Sequence, residues 1–416
     1  MLLKNSRFQP ILLYALLLPV LVVRILAEST NYCTPDSVYY LEVANNILLG
    51  KGAMGPKVFD FNEDENLLAP LYHSTPFGQP DQYEPYYFSV WPLGYPVAIA
   101  AVSLITGLDV LWASKLLNFI LLGLDFYLLW LLFGKRAELI FFYFCSFTML
   151  EILSYTWSEN LYLSFFLLLL VALKKTHLST NLNYTTIAYL SLALIGMSLA
   201  RYASLIYFFF VTATMLRYFI LKKYLQTISL FSGLLIGTMA IGIYLYINYL
   251  KSGYISGMPR MDTQEFSAIE LTKAFFTGLY NQLHIIKQFR YEGTVDFIYY
   301  CTLSIAQLLL IGLVYRKMKN ENLVSTSDYI SKLMAWFGFG YLIFLVATTA
   351  ISTIDPFDYR TLLPFSFPIF ALILMWVQTN LEKLNEHSTL TIVKLFFLCS
   401  LLLNLPKAYL YNFLFS

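Results

Sequence analysis

Apolar runs of roughly 14 to 25 residues, with few or no charges inside them, recur along all 416 residues of the chain. Crossing a hydrocarbon layer about 30 Å thick takes about 20 apolar residues in a helix, so each run is long enough or nearly so. The residues are 58% apolar and 12% charged, against about 25% charged in an ordinary soluble domain. The expectation is an all-α polytopic membrane protein of about 11 transmembrane helices, with residues 1–416 as a single transmembrane domain. This composition excludes a nucleic-acid binder, a disordered chain and a disulfide scaffold. The net charge of +2 carries no information about partners, because in a membrane protein the distribution of charge is what matters.

Cys33, Cys145, Cys301 and Cys399 form no CxxC pair and no disulfide framework. Lys4 and Arg7 before the first apolar run have the look of a signal peptide. That run is long, however, Arg24 lies near its end, and no small-x-small cleavage site follows, so an uncleaved first span is expected. Basic clusters at Lys135-Arg136, Lys174-Lys175, Lys222-Lys223 and from Arg316 to Lys319 belong in the cytoplasm by the positive-inside rule. Alternation from an inside amino terminus then gives spans near residues 8–27, 109–133, 137–154, 157–173, 185–201, 203–221, 225–250, 297–315, 329–353, 361–380 and 389–412. The apolar stretch at 92–107 is too short for this alternation and is expected to be re-entrant or to lie on the membrane surface.

Residues 28–108 thus form a first outside loop with surface or re-entrant helices, and residues 251–296 a second. Residues 28–91 hold nine acids against two lysines, and residues 251–296 mix five basic residues with five acids, among them Arg260 and Arg290. A third, short loop at 354–360 reads Ile-Asp-Pro-Phe-Asp-Tyr-Arg. The first loop opens Thr34-Pro35-Asp36-Ser37-Val38-Tyr39-Tyr40, and Tyr39, Tyr40, Val43 and Ile47 recur at helical steps until Gly50 and Gly52. This predicts a surface helix, with Asp36 placed either to cap it or to do chemistry.

This opening resembles the start of the polyprenyl-phosphate-sugar-dependent glycosyltransferases of the GT-C superfamily, in particular the protein O-mannosyltransferase and lipid A aminoarabinose transferase branch. The resemblance continues through Trp91-Pro92-Leu93-Gly94-Tyr95-Pro96, where Leu93 departs from the more usual proline, then Ser158-Glu159, Arg201-Tyr202 and Tyr359-Arg360-Thr361-Leu362-Leu363-Pro364. It covers about residues 8–375, with its motifs in the family's order. It implies a GT-C type bundle in the cell membrane, with an active site on the non-cytoplasmic face. The implied reaction moves a sugar from a polyprenyl-phosphate donor to a hydroxyl of a glycan, lipid or protein acceptor, by inverting single displacement.

That chemistry needs a carboxylate to take the acceptor's proton, for which Asp36 is first choice and Glu159 a second acid that orients the acceptor or a metal. It also needs fixed cations for the leaving phosphate, best supplied by guanidinium forks: Arg360 first, then Arg201, Arg260 and Arg290. Tyr39, Tyr40, Trp91, Tyr95 and Tyr359 are the candidate substrate contacts. Each has a bland alternative: Arg360 as an interfacial anchor, Glu159 as a helix end, the aromatics as membrane belt. Arg201 is more telling, because a cation near the middle of apolar sequence is costly to keep. No cofactor is demanded. A divalent metal stays open at Glu63-Asp64-Glu65, which reads first as solvated loop, and the four histidines, His73 and His284 among them, show no ligand spacing. The competing classes are a lipid-linked sugar transporter or flippase, disfavoured because the two halves do not repeat, and a polysaccharide polymerase or O-antigen ligase.

Overall fold

The computed structural model describes residues 9–56, 85–179, 181–256, 267–283, 294–319, 328–351, 357–406 and 409–410. These are mostly helical. The helices are α1 (Gln9–Ala27), α2 (Pro35–Leu48), α3 (Gly94–Thr106), α4 (Val110–Phe133), α5 (Glu138–Tyr143), α6 (Phe147–Ser154), α7 (Glu159–Leu178) and α8 (Tyr184–Ala200). They continue as α9 (Ile206–Ile220), α10 (Tyr224–Ser252), α11 (Ala268–Leu283), α12 (Thr294–Met318), α13 (Tyr329–Ile351), α14 (Leu363–Lys383) and α15 (His387–Leu403). A two-stranded antiparallel ribbon, β1 (Met54–Pro56) with β2 (Pro85–Tyr87), pairs Met54 with Tyr87 and Gly55 with Tyr86.

Among the described residues eight helical stretches are long and apolar enough to cross a membrane. They are Pro10–Ala27, Val110–Tyr143, Glu159–Leu178, Tyr202–Ile220, Tyr224–Ser252, Tyr300–Met318, Tyr329–Thr349 and Leu363–Lys383. This is the pattern of a multi-pass, all-α membrane protein. Gly94–Thr106, Tyr184–Ala200 and His387–Leu403 are shorter apolar helices. At 1.5 Å per residue the 13 residues of α3 reach about 20 Å, too short for a crossing, and Gly107 in the left-handed conformation ends the helix. Residues 137–154, expected as one span, form two short helices with tight turns at 144–146, where the amides of Phe144, Cys145 and Ser146 bond three residues back.

The chain forms two compact units interleaved along the sequence: Met1–Ala27, Leu129–Ile152 and Glu265–Ser416 in one, Glu28–Leu128 and Leu153–Gln264 in the other. In the latter, contacts that climb in step fix the direction of five helices. Ser114 bonds Thr156 at 2.8 Å, the Asn160 amide donates to the Asn118 carbonyl at 3.0 Å, and Ser164 donates to Asp125 at 2.5 Å, so α4 and α7 run parallel. Tyr162 meets Tyr207 and His177 meets Tyr218, so α9 runs with them. Lys175 lies over Tyr189, while a Cβ at Gly196 would stand 2.5 Å from the Phe165 ring, so α8 is antiparallel to α7. Gly233 packs on Leu190 and Gly237 on Leu194, which aligns α10 with α8. These directions match the expected alternation for the same five segments. They also put Lys174-Lys175 and Lys222-Lys223 at one end of this unit and the first loop at the other.

In the unit that contains α1, the Arg24 guanidinium pairs with Glu151 and donates to the Asn404 carbonyl at 2.7 Å, all three residues being buried. Lys394 pairs with Glu138, and the Gln378 side chain accepts from the Leu139 amide at 3.1 Å and donates to the Lys135 carbonyl at 2.9 Å. These polar groups between apolar helices are thus bonded to one another, which offsets the cost of holding them away from water.

Candidate active site

Thr34 and Ser37 start α2. The Ser37 amide donates to Thr34 Oγ1 at 3.4 Å and the Thr34 amide to Ser37 Oγ at 3.0 Å, a reciprocal capping box with Pro35 preset for the first turn. Asp36 is therefore not the helix cap, which is the plainer of its two sequence expectations. It stands half-buried in the first turn, where the unbonded amides of the helix start favour a carboxylate.

The same turn grips the segment that leads into α7. Ser37 Oγ donates to the Thr156 carbonyl at 3.0 Å, Trp157 Nε1 donates to Thr34 Oγ1 at 2.9 Å, and Tyr40 meets Ser158 Oγ at 3.4 Å. The Trp157 ring is stacked on Tyr155 with centroids 4.0 Å apart. The next residue is Glu159, the first of α7. Its side chain is 2% exposed and accepts a hydrogen bond from the Arg201 guanidinium at 3.2 Å, Arg201 itself being 18% exposed. Arg201 follows the last residue of α8 in extended backbone, with φ −149° and ψ 128°, which turns it away from the apolar helix. Asp36, Glu159 and Arg201 thus belong to one end of this unit, the end opposite the basic clusters.

Residues 87–93 are tied to that end by a chain of phenols and amides. Tyr202 donates to the Ser89 carbonyl at 3.1 Å and bonds Tyr244, Tyr244 accepts from the Leu93 amide at 3.2 Å, and Asn248 links Tyr202 to Tyr87. Trp91 is held half-exposed there, 5.5 Å from the half-exposed Tyr39 ring and tilted 33° to it. The two remaining aromatics of this set are wall, not surface. Tyr40 is 2% exposed, and Tyr95 is fully buried with its hydroxyl on Asn118 Oδ1 at 3.2 Å. Of the tyrosines named from sequence in this unit, only Tyr39 stands where a substrate can reach it; burial moves Tyr40 and Tyr95 to a supporting role.

Arg360 and Tyr359 belong to the other unit. Asp358 Oδ1 accepts from the Arg360 amide at 2.9 Å and the Thr361 amide at 2.8 Å, while the Asp358 amide donates to Thr361 Oγ1 at 3.0 Å. This rigid turn presents both residues half-buried just before α14. Phe357 is packed on Phe275, and a Cβ at Gly278 would stand 2.2 Å from the Phe357 carbonyl oxygen, so α11 lies directly against this turn. Tyr359 meets the Phe147 ring at 6.3 Å. Arg260, Arg290, His73, His284 and the Glu63-Asp64-Glu65 cluster lie outside the described residues. Among the described residues no three His, Cys, Asp or Glu side chains gather as a metal site.

Lys115 and Asn118 are polar residues of this end that the sequence did not bring forward. Both are buried in α4 and bonded to the segment before Glu159. The signal was a lysine within an apolar run, the kind of placement that is costly in a bilayer. Comparison of the chain with protein-family models, with curated proteins and with solved structures returned no match.

Proposed function

We propose that this chain is a membrane glycosyltransferase that moves a sugar from a polyprenyl-phosphate donor to a hydroxyl acceptor on the non-cytoplasmic face, with inversion at the anomeric carbon. The observation that carries the proposal is the gathering of Asp36, Glu159, Arg201, Tyr39 and Trp91 at one end of a helical unit whose other end holds the basic clusters. By the positive-inside rule that opposite end is cytoplasmic, which puts the acids outside. The finer topology is a GT-C type bundle of about eleven spans: the long stretches, with Val110–Tyr143 ending as a span at Phe133, the broken segment 138–154 as a span of its own, and the shorter helices Tyr184–Ala200 and His387–Leu403.

In this mechanism Asp36 takes the proton of the acceptor hydroxyl as its oxygen forms a bond to the anomeric carbon. The bond from that carbon to the phosphate oxygen breaks, and the electron pair stays on the phosphate. A phosphate leaves as an anion, so no second acid is needed. Arg201 supplies positive charge at the rim for that anion. Glu159 is buried behind it and acts by aiming the guanidinium. Tyr39 and Trp91 offer ring faces at the surface beside Asp36.

The test uses purified protein in lipid nanodiscs with a radiolabelled polyprenyl-phosphate hexose and a membrane extract as acceptor. Label moves to the acceptor with the wild type and fails to move with Asp36→Asn. Transfer unaffected by Asp36→Asn, or label that only crosses the bilayer of proteoliposomes, refutes the proposal.

A further inference from the structure

Four consecutive carbonyls run from the last two residues of α6 into the turn before α7, and side chains satisfy all of them. Asn118 Nδ2 donates to the carbonyls of Leu153 at 3.2 Å and Tyr155 at 2.8 Å, Lys115 Nζ to that of Ser154 at 2.9 Å, and Ser37 Oγ to that of Thr156 at 3.0 Å. A helix end leaves such carbonyls without partners unless something is brought to them. Lys115 does more than fill one. Its ammonium also donates to the Tyr32 carbonyl at 3.2 Å, and the Thr156 amide donates to that same carbonyl at 3.3 Å. Tyr32 is in the turn that leads into α2 and Asp36, whereas Ser154 ends α6, just before the turn that leads into Glu159.

A lysine 2% exposed within an apolar helix is an expensive choice if packing alone is wanted, since methionine fills the same space without a charge to desolvate. The ammonium donates to main-chain carbonyls on two different segments, so what it adds is a bond between those segments.

We infer that Lys115, supported by Asn118, is the positioning residue that sets the distance between the Asp36 turn and the Glu159 turn. The inference rests on the glycosyl-transfer reading for its functional meaning, though not for its geometry. Lys115 touches no substrate. It acts by holding the general base and the Glu159–Arg201 pair in one arrangement, and a displacement of about 1 Å in such an arrangement costs about 100-fold in rate.

Amide hydrogen exchange read by mass spectrometry, on the full chain in nanodiscs, compares the wild type with Lys115→Met. The expected result is that residues 32–38 and 153–160 lose protection together, by about tenfold or more, while residues 162–178 keep theirs. If residues 32–38 keep wild-type protection, the inference is overturned. Should Lys115→Met fail to accumulate, Lys115→Gln is measured in the same way; it keeps an amide donor and is too short to reach both carbonyls. With the labelled polyprenyl-phosphate hexose, Lys115→Met lowers kcat by about 10- to 100-fold and leaves KM within about twofold. A rise in KM at constant kcat overturns the positioning role. Loss of coupled protection tests Lys115, whereas survival of transfer in Asp36→Asn tests the reaction, so the two failures are distinguishable.

Discussion

Replacing Gly94 by alanine tests how the Trp91–Pro96 motif is used. An added Cβ would stand 2.5 Å from the Leu199 carbonyl oxygen and 2.8 Å from both its carbonyl carbon and its Cβ. Ordinary carbon–oxygen contact is about 3.4 Å, so α3 and the end of α8 must separate by about 0.9 Å. The opposing atoms are mainly backbone, which no rotamer change can move aside. Gly94 is not among the glycines with positive φ, so alanine brings no backbone strain and the clash is the whole effect. Overpacking of this kind costs about 1–3 kcal/mol, less up to about 1 kcal/mol of helix propensity gained. For a unit of this size that lowers Tm by a few degrees, about 2–8 °C. Leu199 is two residues before Arg201, so the shift also loosens the 3.2 Å bond to Glu159 and lowers the rate of the proposed transfer. Thermal unfolding followed by fluorescence in detergent is the assay. Gly242→Ala and Gly312→Ala, which meet nothing within 4 Å, are the controls and leave Tm unchanged or slightly raised. Leu199→Ala does not rescue Gly94→Ala, because alanine keeps both the carbonyl and the Cβ. A Gly94→Ala protein as stable as the controls refutes the reasoning.

Arg201→Met leaves the buried Glu159 carboxylate without its guanidinium and lowers stability by about 3–5 kcal/mol, whereas adding Glu159→Gln recovers much of the loss. Strictly additive losses in denaturation would show that the two residues do not act as a pair. Burial pushes the Glu42 carboxyl above its ordinary range, and nearby Lys51 only partly opposes this. The folded state then holds that proton more tightly than the unfolded chain, so wild-type stability falls as pH rises from about 4.3 through the raised value. Glu42→Gln is accordingly more stable than wild type at neutral pH, and the gap closes below about pH 4; a gap that does not change with pH speaks against the assignment. With the four native cysteines replaced, Ser29→Cys is labelled by an impermeant maleimide on intact cells, and Asn181→Cys only after permeabilisation. The reverse pattern inverts the topology.

The apolar runs determined most of this protein by themselves, because a bilayer permits a long uncharged run little besides a helix that bonds internally. The basic clusters gave five of those helices their directions, and the paired contacts of α4, α7, α8, α9 and α10 run the same way. Arg201 was legible as a charge kept where charge is costly, and Asp36 and Glu159 only through the resemblance carried by their surrounding motifs. Periodicity could not tell which ring of the Tyr39-Tyr40 pair is surface, since adjacent residues of a half-buried helix differ only by what packs over them. It missed the break at 144–146, where every residue is apolar or small and nothing local marks a turn. It also left open whether Asp36 was only a cap. The Thr34–Ser37 capping box answers that locally, whereas the hold of the same turn on Thr156 and Trp157 joins residues more than 115 apart along the chain. The contacts that make the site, Lys115 to Tyr32 and Ser154, Ser37 to Thr156, Arg201 to Glu159, join segments far apart in sequence. Only the tertiary structure decided them, because each depends on where the chain returns and not on what stands beside the residue along it.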